Sequence, residues 1–117
     1  MLYQADELKI ESTLSSTHLT VRWFGRSDGR EPRRTLEPVL AAVTSQFCSA
    51  REVDLDFRSL EYMNSSTIRV ILTLVQQASG AVAQVRVLYD GSKNWQRLSF
   101  KVIEAVMACH GNVELRT

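Results

Sequence analysis

Four short polar side chains in a row, Asn64-Ser65-Ser66-Thr67, stand where an alternating apolar run ends and a run with helical spacing begins. They are the residues of this chain best suited to chemistry. Their oxygens can accept bonds from the orphan N–H groups of a first helical turn, the ordinary way to start a helix. A hydroxyl in that place can equally be the substrate of another enzyme. Phosphorylation there would set about −1.5 to −2 charges beside roughly +0.5 of helix dipole charge. Spacing alone leaves capping and modification both open.

The other chemistry-bearing residues do not assemble into a constellation. His18 and His110 stand apart in sequence, the first read as a solvated residue on an edge strand, the second as a polar ring suited to a helix C-terminus. Asp54 and Asp56 share one face of a strand; they are expected on its polar side or at its end, within reach of a basic loop. Neither a Gly-rich phosphate loop nor a metal-ligand spacing occurs, so the reading is of a chain that is not an enzyme, with no catalytic residues, no cofactor and no metal. Cys48 and Cys109 lie in apolar helical patterns without CxxC spacing and are expected to be buried free thiols of a reducing compartment. Gly25 to Arg34 holds two glycines, one proline and four arginines and reads as a loop. Its Arg26, Arg30, Arg33 and Arg34 suit phosphate or an acidic partner, or simply solvation beside an edge strand.

Two elements must position the polar quartet. Val53, Leu55 and Phe57 alternate with Glu52, Asp54 and Asp56, the period of a half-covered strand within Arg51 to Ser59. Ile68, Ile71, Leu72, Val75 and Ala78 then form one helical stripe, closed by Gly80 as a C′ residue. Upstream, Leu8 to Leu14 and His18 to Phe24 read as a hairpin around Ser15-Ser16-Thr17. Leu36, Val39, Leu40, Val43 and Phe47 predict a helix starting near Thr35 to Glu37, with Pro38 in its first turn. Downstream, Val85, Val87 and Tyr89 predict a strand, followed by a helix capped by Ser92 or Asn94. Its expected apolar stripe is Trp95, Leu98, Val102, Ala105, Val106 and Cys109. Val113 and Leu115 make a last short strand. The order is ββαβαβαβ, an α/β fold with a mixed sheet and helices packed on it, the Arg51 to Ser59 strand lying inside.

The segment Leu60-Glu61-Tyr62-Met63-Asn64-Ser65-Ser66-Thr67 ahead of an apolar helix resembles the STAS domain of anti-sigma-factor antagonists. The signature of that family is an apolar residue followed by Asp-Ser-Ser-Gly at the same junction. The wording Met63-Asn64-Ser65-Ser66-Thr67-Ile68-Arg69 is closer still to the SiaC-type regulatory phosphoproteins. Asn64 stands for the usual STAS aspartate and Thr67 for the glycine. The resemblance implies a single STAS-like domain over residues 1–117, phosphorylated at Ser65, with Ser66 and Thr67 as secondary acceptors. The partner-binding residues expected with it are Met63, Asn64, Ser65, Ser66, Thr67 and Arg69, joined by Arg30 and Arg33. It further implies a serine kinase, a PP2C-like phosphatase, and as target an anti-sigma factor or a diguanylate cyclase. The alternatives are a STAS-fold scaffold that has lost the switch and a small α/β ligand carrier or enzyme.

Composition agrees with a regulatory globule and narrows little else. The 117 residues are 44% hydrophobic and 23% charged, enough apolar content for a real core. Fourteen basic against thirteen acidic residues leave a net charge of +1, which marks the chain neither for nucleic acid nor for a membrane surface. The N-terminus lacks the pattern of a signal peptide, so a cytoplasmic protein without membrane insertion is expected.

Overall fold

The computed structural model describes residues 2–5 and 7–117. Its elements are β1 (Leu2–Ala5), β2 (Leu8–Ser15), β3 (His18–Ser27), α1 (Pro32–Gln46), β4 (Glu52–Asp56), β5 (Leu60–Met63), α2 (Ser65–Ala81), β6 (Gln84–Leu88), α3 (Asn94–Val106) and β7 (Val113–Arg116). The mixed sheet and three packed helices are those expected. Two strands, β1 and β5, are additional to the expected ββαβαβαβ order. Both are four residues long, too short for alternation to announce them.

The sheet runs β1-β2-β3-β4-β6-β7, with β5 pairing to the far end of β3. β1, β2 and β3 are antiparallel neighbours, whereas β3, β4, β6 and β7 are parallel. β4 therefore lies inside the sheet, as read from its sequence. A two-residue turn joins β2 to β3, and Ser16 takes φ 56° there. Gly25 has φ 87°, and a Cβ on it would lie 1.8 Å from the Glu7 carbonyl oxygen, so only glycine fits. At that point the β3–β5 register shifts and Arg26 N–H donates to Glu7 O at 3.1 Å.

Alternation sends Leu19, Val21 and Trp23 of β3, Val53 and Leu55 of β4, and Val85 and Val87 of β6 into one core. The same core takes Leu36, Val39 and Val43 of α1, Ile71, Leu74, Val75 and Ala78 of α2, and Phe100 and Ile103 of α3. All three helices thus cover one face of the sheet, and the polar alternates form the other. α1 starts at Pro32, earlier than expected, with Pro32 itself buried. This places Pro38 in the second turn, where its missing N–H leaves the Arg34 carbonyl without an intrahelical partner. Gly80 is not a C′ residue. α2 runs on to Ala81 because Asn112 Nδ2 donates to Ser79 O at 2.8 Å and Val82 O at 3.1 Å, capping the terminal carbonyls from outside.

α3 is rotated from the expected stripe. Gln96, Phe100, Ile103 and Met107 are buried, whereas Leu98, Val102 and Val106 are 55%, 53% and 45% exposed. Aromatic packing decides this, since the Phe100 ring lies 5.2 Å from both Phe57 and Tyr89, parallel to the latter. Gln96 is tolerated in the core because Nε2 donates to Phe57 O and Leu60 O, both at 2.8 Å, while Oε1 accepts from Asp90 N–H at 2.8 Å. The helix follows Lys93 rather than a side-chain cap from Ser92 or Asn94; Ser92 instead closes a turn onto Asp90 Oδ1. Both cysteines are free but exposed, contrary to the expected burial. Phe100→Ala should destabilise the fold by about 3–5 kcal/mol, and Val102→Ala by no more than about 0.5 kcal/mol. Urea unfolding of the two variants checks the rotation; equal losses would contradict it.

Candidate functional site

The start of α2 is held by a chain of side chains reaching back to β3. Asn64 is the N-cap, with extended backbone (φ −85°, ψ 172°), and its Oδ1 accepts from Thr67 N–H at 2.9 Å. The same oxygen lies 2.8 Å from Thr67 Oγ1, and Thr67 Oγ1 lies 2.7 Å from Ser27 Oγ. An amide oxygen can only accept, so the Thr67 hydroxyl donates to Asn64 and the Ser27 hydroxyl donates to Thr67. Asn64 Nδ2 donates to Gly29 O at 2.7 Å, and Asn64 N–H to Ser27 O at 3.0 Å. The strand end, the following loop and the helix start are therefore one hydrogen-bonded unit. Replacing Asn64 with alanine removes the cap and the Gly29 tie, and should lower stability by about 1–2 kcal/mol in chemical denaturation.

This arrangement sorts the polar quartet. Thr67 is fully buried with its hydroxyl engaged on both sides, so it is neither an acceptor for a phosphoryl group nor a partner contact. Met63 belongs to the core and likewise presents nothing to a partner. Ser65 and Ser66 open the helix exposed, their hydroxyls unbonded among the described residues, and Asn64 is half-buried. Tyr62, on the exposed side of β5, lies beneath the Arg26 guanidinium at 4.9 Å from the ring centre.

α1 and α2 leave an open groove of about 790 Å³ between them, and it gathers Arg30, Arg33, Ser66 and Arg69. Residues far apart in sequence are thus brought to one surface, while Ser65 is next to Ser66 in the chain and not itself in the lining. Sequence reasoning missed Ser27 as the anchor of the junction; it lies within the stretch read as a loop, which shrinks to residues 28–31 because β3 runs to Ser27 and α1 starts at Pro32. It also missed the groove's neutral lining by Ala41, Thr44, Thr73 and Gln77. A polar or small residue on the helix face next to the apolar stripe is the only trace they leave.

The carboxylates of β4 are committed elsewhere, on the uncovered face of the sheet. The register sets Asp54 beside Arg86, and Arg86 Nε donates to Asp54 Oδ1 at 2.7 Å. His18 Nε2 lies 3.0 Å from Asp54 Oδ2, so His18, though still 40% exposed, sits against Asp54 on an internal strand and not on an edge strand. Asp56 is paired bidentately by Arg58 at 3.0 and 2.9 Å, with Arg22 at 4.0 Å. Neither aspartate reaches the 28–31 loop, contrary to expectation. Burial pushes the Asp56 carboxyl up, but hydrogen bonds and charge from Arg58, with Arg22, outweigh it and hold the group below the usual carboxylate range. Arg86 is held above the usual arginine value by its hydrogen bond to Asp54. Among the described residues no group of His, Cys, Asp and Glu is placed to hold a metal. A depressed folded-state value means that Asp56 stabilises the fold above its unfolded value of 3.8 and ceases to do so as pH falls through the folded one. Asp56→Asn should therefore flatten the loss of stability below about pH 4. Denaturation midpoints measured across that range check it.

No protein-family model and no curated protein sequence matches the chain. Solved structures do. The anti-sigma factor antagonist SpoIIAA in its unphosphorylated form superposes with a TM-score of 0.59 at 14% identity, over 94% of this chain and 88% of that one. The chain has the STAS fold. The phosphorylated form of the Bacillus cell fate determinant SpoIIAA gives 0.59 at 15% identity, over 94% and 91% of the two chains. An anti-sigma factor antagonist from Mycobacterium paratuberculosis gives 0.57 at 14%, over 85% and 81%. At such identities the STAS likeness concerns the fold, and the site rests on its own geometry. No helix among the described residues is long and apolar enough to cross a membrane.

Proposed function

We propose that this STAS-fold chain is a non-enzymatic, cytoplasmic regulatory protein that binds a signalling partner and is switched by phosphorylation of Ser65. The observation that carries the reading is the placement of the Ser65 hydroxyl. It is exposed at the first residue of α2, on a junction fixed by the Ser27–Thr67–Asn64 chain. Burial removes Thr67 from the acceptor set and leaves Ser66 second. The domain would tolerate the modification, because the N–H groups of a first helical turn favour anions. A docked partner would instead have to bury or repel about two negative charges, enough to change occupancy by orders of magnitude.

The fold supports the regulatory class, since it is shared with anti-sigma factor antagonists, one of them solved in both phosphorylated and unphosphorylated forms. The wording Asn64 to Arg69 supports a SiaC-type assignment, with a serine kinase, a PP2C-like phosphatase, and a diguanylate cyclase or an anti-sigma factor as target. The second reading is a STAS-fold scaffold without the switch. It is favoured by the replacement of the family's aspartate and glycine with Asn64 and Thr67, which here serve a structural network.

Phosphopeptide mass spectrometry on protein from its native cells separates the two. Cleavage after Arg58 and Arg69 releases one peptide holding Ser65, Ser66 and Thr67, and fragmentation should place the phosphate on Ser65. In parallel, Ser65→Asp should keep its unfolding free energy within about 0.5 kcal/mol while losing the co-purifying partner. A folded Ser65→Asp protein that retains every partner would argue for the unswitched scaffold.

A further inference from the structure

The groove between α1 and α2 is uneven in charge. The two helices connect strands of the same parallel set, so they run side by side and their N-termini lie at one end of the groove. Arg30, Arg33, Arg34 and Arg69 stand towards that end together with Glu31 and Glu37, and the lining beyond Glu37 and Arg69, with Leu40, Ala41, Thr44, Thr73 and Gln77, carries no charge. Arg34 pairs with Glu31 at 3.7 Å. Among the described residues Arg30, Arg33 and Arg69 have no ion-pair partner, and Glu37 is the one other carboxylate in the lining.

We propose that this groove docks an acidic segment of a partner protein, its carboxylates on Arg30, Arg33 and Arg69 and its apolar side chains along Leu40 and Ala41. This rests on the reading of the α2 junction as a partner surface and names the chemistry of what binds there. Planar guanidiniums match carboxylates two bonds at a time, and three unpaired cations against one free anion are complementary to acidic rather than basic chains. The basic character is local, because the whole molecule carries only +1. A nucleic acid would track a longer, unbroken basic surface, whereas here Glu31 and Glu37 interrupt the arginines. The regulation follows from the position of Ser66 in the lining. A phosphate on its neighbour Ser65 would bring negative charge to the arginine end and oppose the incoming carboxylates.

The full chain, labelled with ¹⁵N, is titrated with a synthetic peptide of about 15 residues, glutamate-rich with leucine at every third or fourth position, spaced for one helical face. The amides of Arg33, Leu40, Arg69 and Thr73 should shift, and the affinity should fall as salt rises. The variant R30E/R33E/R69E, shown folded by the dispersion of its own spectrum, should bind about tenfold more weakly or worse. Shifts confined to the uncovered face of the sheet would overturn the proposal, as would equal binding of the lysine-for-glutamate peptide or of a single-stranded oligonucleotide, or unchanged affinity in the reversed variant. Ser65→Asp is titrated separately. If the arginine reversal abolishes binding but Ser65→Asp does not weaken it, the docking chemistry stands and the phosphorylation switch fails.

Discussion

The junction at the head of α2 depends on a relay of three side chains, Ser27 to Thr67 to Asn64, in which the shorter contact of the Thr67 hydroxyl, 2.8 Å to Asn64 Oδ1 against 3.4 Å to Ser27 O, sets the direction of donation. The relay ties a strand end to a helix start forty residues away and leaves no freedom in how the first turn is presented. Because Asn64 caps and Thr67 is consumed internally, Ser65 and Ser66 are pushed outward with unbonded hydroxyls. Gly25 serves the same end at a distance: its left-handed backbone lets β3 pass under Glu7, shift register and continue to Ser27. Without that extension the anchor would not reach the helix.

A one-sided sheet explains the separation of structural from available charge. Packing every helix on one face leaves the polar alternates of β3, β4 and β6 side by side on the other, where parallel register sets Asp54 against Arg86 and Asp56 against Arg22. Those ions neutralise one another. The arginines after β3 have no such register to pair them, and the turn into α1 lifts them onto the rim of the helix groove instead. Ion pairs on the open face and unpaired cations at the groove are therefore two consequences of one topology.

The amino-acid sequence by itself determined what depends on near neighbours: the hairpin, the alternation of β3, β4 and β6, the helical stripes of α1 and α2, and the capping role of Asn64. Even the family resemblance was legible in about ten residues, because a strand-to-helix turn needs particular short side chains at particular offsets. Tertiary structure alone decided what depends on contacts across the chain. α3 carried two apolar stripes, and the stacking of Phe100 on Tyr89 and Phe57 chose between them. Asn112 overrode Gly80 as the end of α2, Thr67 passed from exposed hydroxyl to buried relay, and Arg30, Arg33 and Arg69 became neighbours only when α1 and α2 came to lie side by side. Local periodicity states which residues are apolar; which of them find partners is settled by elements that the periodicity does not contain.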